Sequence, residues 1–103
     1  MAELEILWDS TALKLLNDRD RYTRHAIQEE FTQDPEKNKV TVDSGKCEFL
    51  TRVSDDRYAV VWRLDSDNRM VIVRAVIPFS SFDPNDPQLK EHVDRAVAEE
   101  IKR

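Results

Sequence analysis

Apolar and polar positions alternate at the start of the chain, where Leu4, Ile6 and Trp8 are interleaved with Glu3, Glu5, Leu7 and Asp9. A period of two predicts a half-buried strand. Asp9, Ser10 and Thr11 follow, and each has a side chain able to cap a helix N-terminus. Leu13 and Leu16, one turn apart, predict a short helix from Ala12 to about Leu16. Asn17-Asp18 breaks it and caps a second helix, from about Arg19 to Thr32. Tyr22, Ala26, Ile27 and Phe31 form the apolar stripe of that helix, with Arg21, Arg24, Glu29 and Glu30 largely off it. The simplest arrangement is an antiparallel helical hairpin. Asp34-Pro35 ends it, because proline disfavours helical backbone in the residue before it.

Alternation then returns. Val40 and Val42 lie between polar neighbours and predict a short strand, and Ser44-Gly45 predicts a turn at the one glycine, where positive φ is cheap. Three longer strands follow, Cys47 to Val53, Arg57 to Leu64 and Met70 to Ile77. Asp55-Asp56 and Asp65-Ser66-Asp67-Asn68 join them, with the length and residue types of hairpin turns. Met70 to Ile77 is apolar on both faces except at Arg74, which marks a central strand. Residues 78–86 form a linker, and Asp86-Pro87 starts a last helix over 87–102. Its stripe is Leu89, Val93, Ala96, Val97 and Ile101.

The pattern predicts one α+β domain over 1–103 with its core in 4–77. It has an antiparallel sheet of about four to five strands, an N-terminal helical hairpin and a C-terminal helix. The helices are expected to cover one sheet face and to leave the other concave and partly open.

Composition narrows the classes. A chain of 103 residues fills one domain with a thin core. The lone Cys47 cannot form an internal disulfide and is expected to be a small buried residue. No apolar run approaches the ~20 residues of a membrane span. Glu3 and Glu5 stand where a signal peptide has basic residues, so the expected location is the cytoplasm. The net charge is −5, which disfavours general nucleic-acid binding. Residues 1–36 carry 4 positive and 9 negative charges, residues 37–78 carry 8 and 6, and residues 79–103 carry 4 and 6. Only the strand-bearing middle is electropositive.

From about Leu4 to Ile77 the chain resembles the RelE/ParE-like toxins of toxin–antitoxin systems. Glu5 to Leu16 is similar to that superfamily's opening strand running into a helix with a polar cap, an alanine and spaced leucines. Arg24 and Ile27 sit where it places an Arg-x-x-Ile, and Asp34-Pro35 matches its helix end. Phe49 to Val53 followed by Arg57 to Leu64 resembles its central hairpin, and Val71 to Val76 its last core strand. The resemblance implies the fold and an antitoxin-like protein partner or self-association. The alternative it implies is a metal-independent ribonuclease toxin that inhibits translation. The chain departs from the ribonuclease members at Ala59, where they carry arginine after the hairpin tyrosine. It departs again at Pro78, Phe79, Ser80 and Ser81, where they carry a basic residue and then tyrosine or histidine.

Metal-free RNA cleavage needs one group to stabilise developing charge and another to move a proton. Arg63 and Arg74 are the candidates for the first role, with Arg52 a third strand arginine. His92 is the candidate for the second, with Tyr58 as an alternative. Strand parity places Arg63 opposite the Tyr58, Trp62 and Leu64 side. Arg74 should share that open side or pair with a buried carboxylate. Arg52, Arg57, Tyr58 and Trp62 are the candidate binding residues, the aromatics serving as a contact patch if parity is reversed. The plainer reading makes the arginines surface residues that guard strands against aggregation. His25 has no motif partner, and no metal-ligand or phosphate-loop motif is present, so neither metal nor cofactor is expected.

Overall fold

Two aspartates set the helical hairpin. Asp9 caps the first helix, α1 (Ser10–Asn17), its carboxylate accepting from the Ala12 N–H at 2.9 Å. Asp20 caps the second, α2 (Arg21–Gln33), accepting from both the N–H and the hydroxyl of Thr23 at 2.8 Å. The second cap is therefore Asp20, while Asp18 closes the end of α1. The structure is a computed structural model and describes residues 5–65, 67, 69–81, 83 and 85–102. Glu3, Leu4, Ser66, Asn68, Phe82 and Pro84, on which predicted elements fall, and Arg103 at the end of the predicted domain lie outside the described residues.

Five strands form one sheet in the order β1-β5-β4-β3-β2: β1 (Glu5–Trp8), β2 (Lys39–Asp43), β3 (Glu48–Val53), β4 (Tyr58–Asp65) and β5 (Met70–Pro78). From β2 to β5 the strands pair with their sequence neighbours and run antiparallel, as the hairpin turns predict. β1 lies parallel to β5, beyond the meander. A helical turn, Phe79–Ser81, and a linker lead to the last helix, α3 (Leu89–Lys102). Asp86 holds its entry by accepting from the Gln88 N–H at 2.8 Å.

The helices lie on both sheet faces rather than one, and the second face stays open only in part, at Leu7, Ile72 and Arg63. On one face α1 and α2 pack Ala12, Leu16, Ile27 and Phe31 against Val53, Val60, Trp62, Val71, Val73 and Val76. A chain of ring contacts, Trp8 to Phe31 to Trp62 to Phe49, runs through this layer with centroids 4.9–6.1 Å apart. On the other face α3 lays Leu89, Val93, Ala96 and Val97 over Leu50, Ala59, Val61, Ala75 and Ile77. The reason is in β5 itself, whose apolar residues point both ways and need cover on both sides. α1 lies where the layers meet, with Leu16 in one and Leu15 in the other.

Several local expectations change. Tyr22 is not in the α2 stripe but 86% exposed, and Leu13 is exposed while Leu15 is buried. Cys47 is exposed rather than buried: it ends the β2–β3 turn with φ 51. Gly45 has no positive φ, so the left-handed position of this turn belongs to Cys47. The Asp43 carboxylate bends the chain instead, accepting from the Gly45 N–H at 3.0 Å. Among the described residues no helix is long and apolar enough to cross a membrane.

Candidate functional site

The strand arginines share the α3 side of the sheet. Ile6 and Trp8 pack against the α1–α2 layer, so Leu7 points the other way. Leu7 pairs in register with Ile72, Ile72 with Arg63, and Arg63 with Glu48, forming a row across four strands. α3 stops short of this row. Leu7 is 50% exposed, Ile72 is half-buried and Arg63 is exposed. Arg63 forms no ion pair among the described residues.

Arg74 reaches this face through a β-bulge. Val61 pairs with Ala75 and Trp62 with Val73, which leaves Arg74 as the extra residue of β5. A bulge re-aims a side chain while the strand continues. Arg74 and Ala75 both turn toward α3, and Val76 returns to the α1–α2 layer. The Arg74 Nη2 donates to Glu48 Oε1 at 3.0 Å and to Asp94 Oδ1 at 2.9 Å. Lys90 Nζ donates to the other Asp94 oxygen at 3.0 Å. Burial works to raise the Asp94 pKa, but the hydrogen bonds from Lys90 and Arg74 outweigh it and leave the carboxyl below its usual value. Lys90 is raised, chiefly by its hydrogen bond to Asp94. Glu48 is buried beneath the pair. Both alternatives foreseen for Arg74 hold together: it lies on the Arg63 side and it pairs with a buried carboxylate.

His92 is elsewhere. It lies two residues from Asp94 on α3, hence about 200° around the helix and on the opposite flank from the Arg74 pair. Its Nδ1 lies 2.7 Å from Asp86 Oδ2, an ion pair when the imidazole is protonated. Arg63, Arg74 and His92 therefore do not converge on one reacting centre. His25 is exposed and faces Glu29 at 3.4 Å.

The candidate binding residues also separate. The Arg52 guanidinium lies over the Phe79 ring at 5.4 Å, with Nε 3.8 Å from Asp56. Arg57 is an exposed turn residue. Tyr58 is half-buried on the opposite face, under the Arg19 guanidinium at 4.9 Å. Trp62 is fully buried, because strand parity turns it into the aromatic core, and it offers no contact patch. Its indole N–H donates to Thr51 Oγ1 at 2.9 Å, and the Thr51 hydroxyl donates to the Pro35 carbonyl at 2.7 Å.

Sequence reasoning passed over Glu48 and Asp94 and read Asp86 only as the start of the last helix. The signal for Asp94 was its spacing of four from Lys90 on one helix face. The signal for Glu48 was its parity with Leu50 and Arg52. Among the described residues no group of three His, Cys, Asp or Glu side chains is placed to hold a metal ion. The surface joins an apolar ledge, Leu7 and Ile72, to the exposed Arg63 and to Arg74, whose Nη2 meets two carboxylates while its Nε is buried without a hydrogen-bond partner among the described residues. That suits recognition of apolar and acidic groups.

No protein-family model and no curated protein matches the sequence. Solved structures do resemble the fold. The chain is similar to a chain of the toxin–antitoxin complex RelBE2 from Mycobacterium tuberculosis, with TM-score 0.60 and 16% identity over 73% of this chain and 96% of that one. It is similar to a double mutant of the E. coli toxin RelE in the free state, with TM-score 0.60 and 17% identity over 95% and 98% of the two chains. It is also similar to a chain of the archaeal RelE–RelB complex from Pyrococcus horikoshii, with TM-score 0.57 and 11% identity over 79% and 100%. The meander, the parallel first strand, the helical hairpin and the C-terminal helix together give this chain the fold of the RelE toxins.

Proposed function

We propose that this chain is the toxin-fold member of a toxin–antitoxin pair and acts chiefly by binding an antitoxin-like protein. The carrying observation is the row Leu7, Ile72 and Arg63, which α3 leaves uncovered and in which Arg63 has no ion pair among the described residues. A partner segment with apolar side chains and a carboxylate fits that row. Charge complementarity there governs orientation and rate of encounter more than raw affinity. The likeness to chains solved in RelB–RelE complexes supports this reading.

Metal-independent RNA cleavage is the second reading. One observation favours it: Arg52, Arg63 and Arg74 share a sheet face with the right parity. Against it stand the two carboxylates on Arg74 and the place of His92 on the other flank of α3, paired with Asp86.

Co-expression of the tagged chain with the product of the adjacent gene tests the choice. A stable complex, weakened by Leu7→Asp and by Arg63→Glu, is expected. A strictly monomeric chain that retains nothing would sink the binding reading. Growth arrest when the chain is expressed alone, lost in a folded Arg63→Ala variant, would favour the ribonuclease.

A further inference from the structure

A second surface lies on the outer side of α2, across the molecule from the arginine row. Two clefts of about 320 and 230 Å³ meet there and share Ala26 and Glu30. One wall is α2 from Tyr22 to Gln33, a length of about 16 Å at the helical rise. The other wall is the β3–β4 turn at Ser54, Asp55 and Arg57. Ala26 keeps the floor low, and Tyr58 closes it from the sheet side.

The lining has an excess of carboxylates. Among the described lining residues the charged groups are Glu29, Glu30, Asp55 and Arg57, and the Arg19 guanidinium lies against the groove over the Tyr58 ring. At one end Tyr22 stands 86% exposed, a large amphipathic ring that the fold leaves without cover. The turn wall is fixed in place: the Ser54 N–H donates to Glu30 Oε2 at 2.9 Å, and the Arg57 N–H to the Ser54 carbonyl at 3.2 Å.

We infer that this groove is a docking site for a cationic amphipathic helix of a protein partner. Its apolar residues would lie along Ala26 and the Tyr22 ring, and its Lys or Arg side chains would meet Glu29 and Asp55. A second copy of this chain docking by the same groove would oppose acid to acid, and a nucleic acid would meet the same repulsion. A basic occupant matches the excess of carboxylates, Glu29 and Asp55 above all, since Glu30 is held by the Ser54 N–H. The inference goes beyond the toxin–antitoxin reading and rests on a different face.

The test is an amide NMR titration of the full chain with two synthetic helical peptides. Both carry the same leucine–alanine stripe, one with a lysine polar face and one with a glutamate polar face. The lysine peptide is expected to shift amides within 22–33 and 54–58, and the glutamate peptide to leave them in place. Glu29→Lys and Asp55→Lys are each expected to weaken the lysine peptide about tenfold. Glu29 is exposed on a helix, so its variant keeps the test valid if the turn variant misfolds. Equal binding of both peptides, shifts scattered over every acidic surface, or unchanged affinity in Glu29→Lys would each overturn the inference.

Discussion

Arg74 shows how much one residue can carry. It is the extra residue of a bulge, and its guanidinium bridges Glu48 of β3 and Asp94 of α3. Removing one partner of a buried pair costs more than the pair is worth, because the other charge is stranded. Arg74→Ala is therefore expected to lower unfolding stability by about 3 kcal/mol, while Arg74→Met with Glu48→Met returns to within about 1 kcal/mol of the parent. A denaturant series over both variants and the parent checks this, and a double variant as weak as the single would refute it. Asp94 adds a pH signature. Its folded pKa lies below the unfolded value of about 3.9, so its contribution is present above that value and is lost as pH falls through the lowered one. Asp94→Asn should cost about 0.5–1 kcal/mol at neutral pH after solvent screening, with the difference closing below about pH 4. Arg74 was legible because a charge interrupts an apolar strand. Cys47 was misread because its type suggests burial, whereas its conformation is set by the turn that Asp43 closes. Gly45→Ala should accordingly be tolerated, with Asp43 Oδ1 3.4 Å from the new carbon. Cys47→Gly should gain about 0.5 kcal/mol by relieving a left-handed residue.

Among the elements, α3 differs most from expectation, in position though not in existence. Its stripe was readable from Leu89 to Val97, and Pro87 gave its start to within two residues. Nothing in the stripe says which sheet face it meets. The deciding fact was the two-sided apolar run of β5, which the sequence displays, combined with a bulge, which it does not. A bulge is a property of pairing: parity flips after Arg74 only because Val61 and Trp62 oppose Ala75 and Val73. The same applies to the buried relay on the other face. Trp62 and Thr51 lie on adjacent strands, and their hydrogen bond follows from register. Thr51→Val keeps the shape but leaves the indole N–H without its acceptor. It should cost about 1–3 kcal/mol by thermal or urea unfolding, and a neutral result would mean that water replaces the threonine.

At the scale of the molecule, β4 and β5 belong to two cores at once. Val60, Trp62, Val73 and Val76 pack under the hairpin, while Ala59, Val61, Ala75 and Ile77 pack under α3. Stripping α3 would leave the backs of the same central strands wet, and the hairpin's packing surface would soften with them. The helical layers should therefore unfold as one cooperative unit, as single domains of this size usually do. Both tryptophans lie on the hairpin side of the sheet, so they report on one layer only. Val93 sits in the other layer, fully buried under α3, and Val93→Ala should cost about 2 kcal/mol through lost burial and a residual cavity. If the cores are coupled through β4 and β5, this change shifts the tryptophan-fluorescence midpoint as far as the far-ultraviolet helix signal. A tryptophan transition that stays at the parent midpoint while helix signal is lost early would show that α3 detaches by itself, with the sheet and hairpin standing without it.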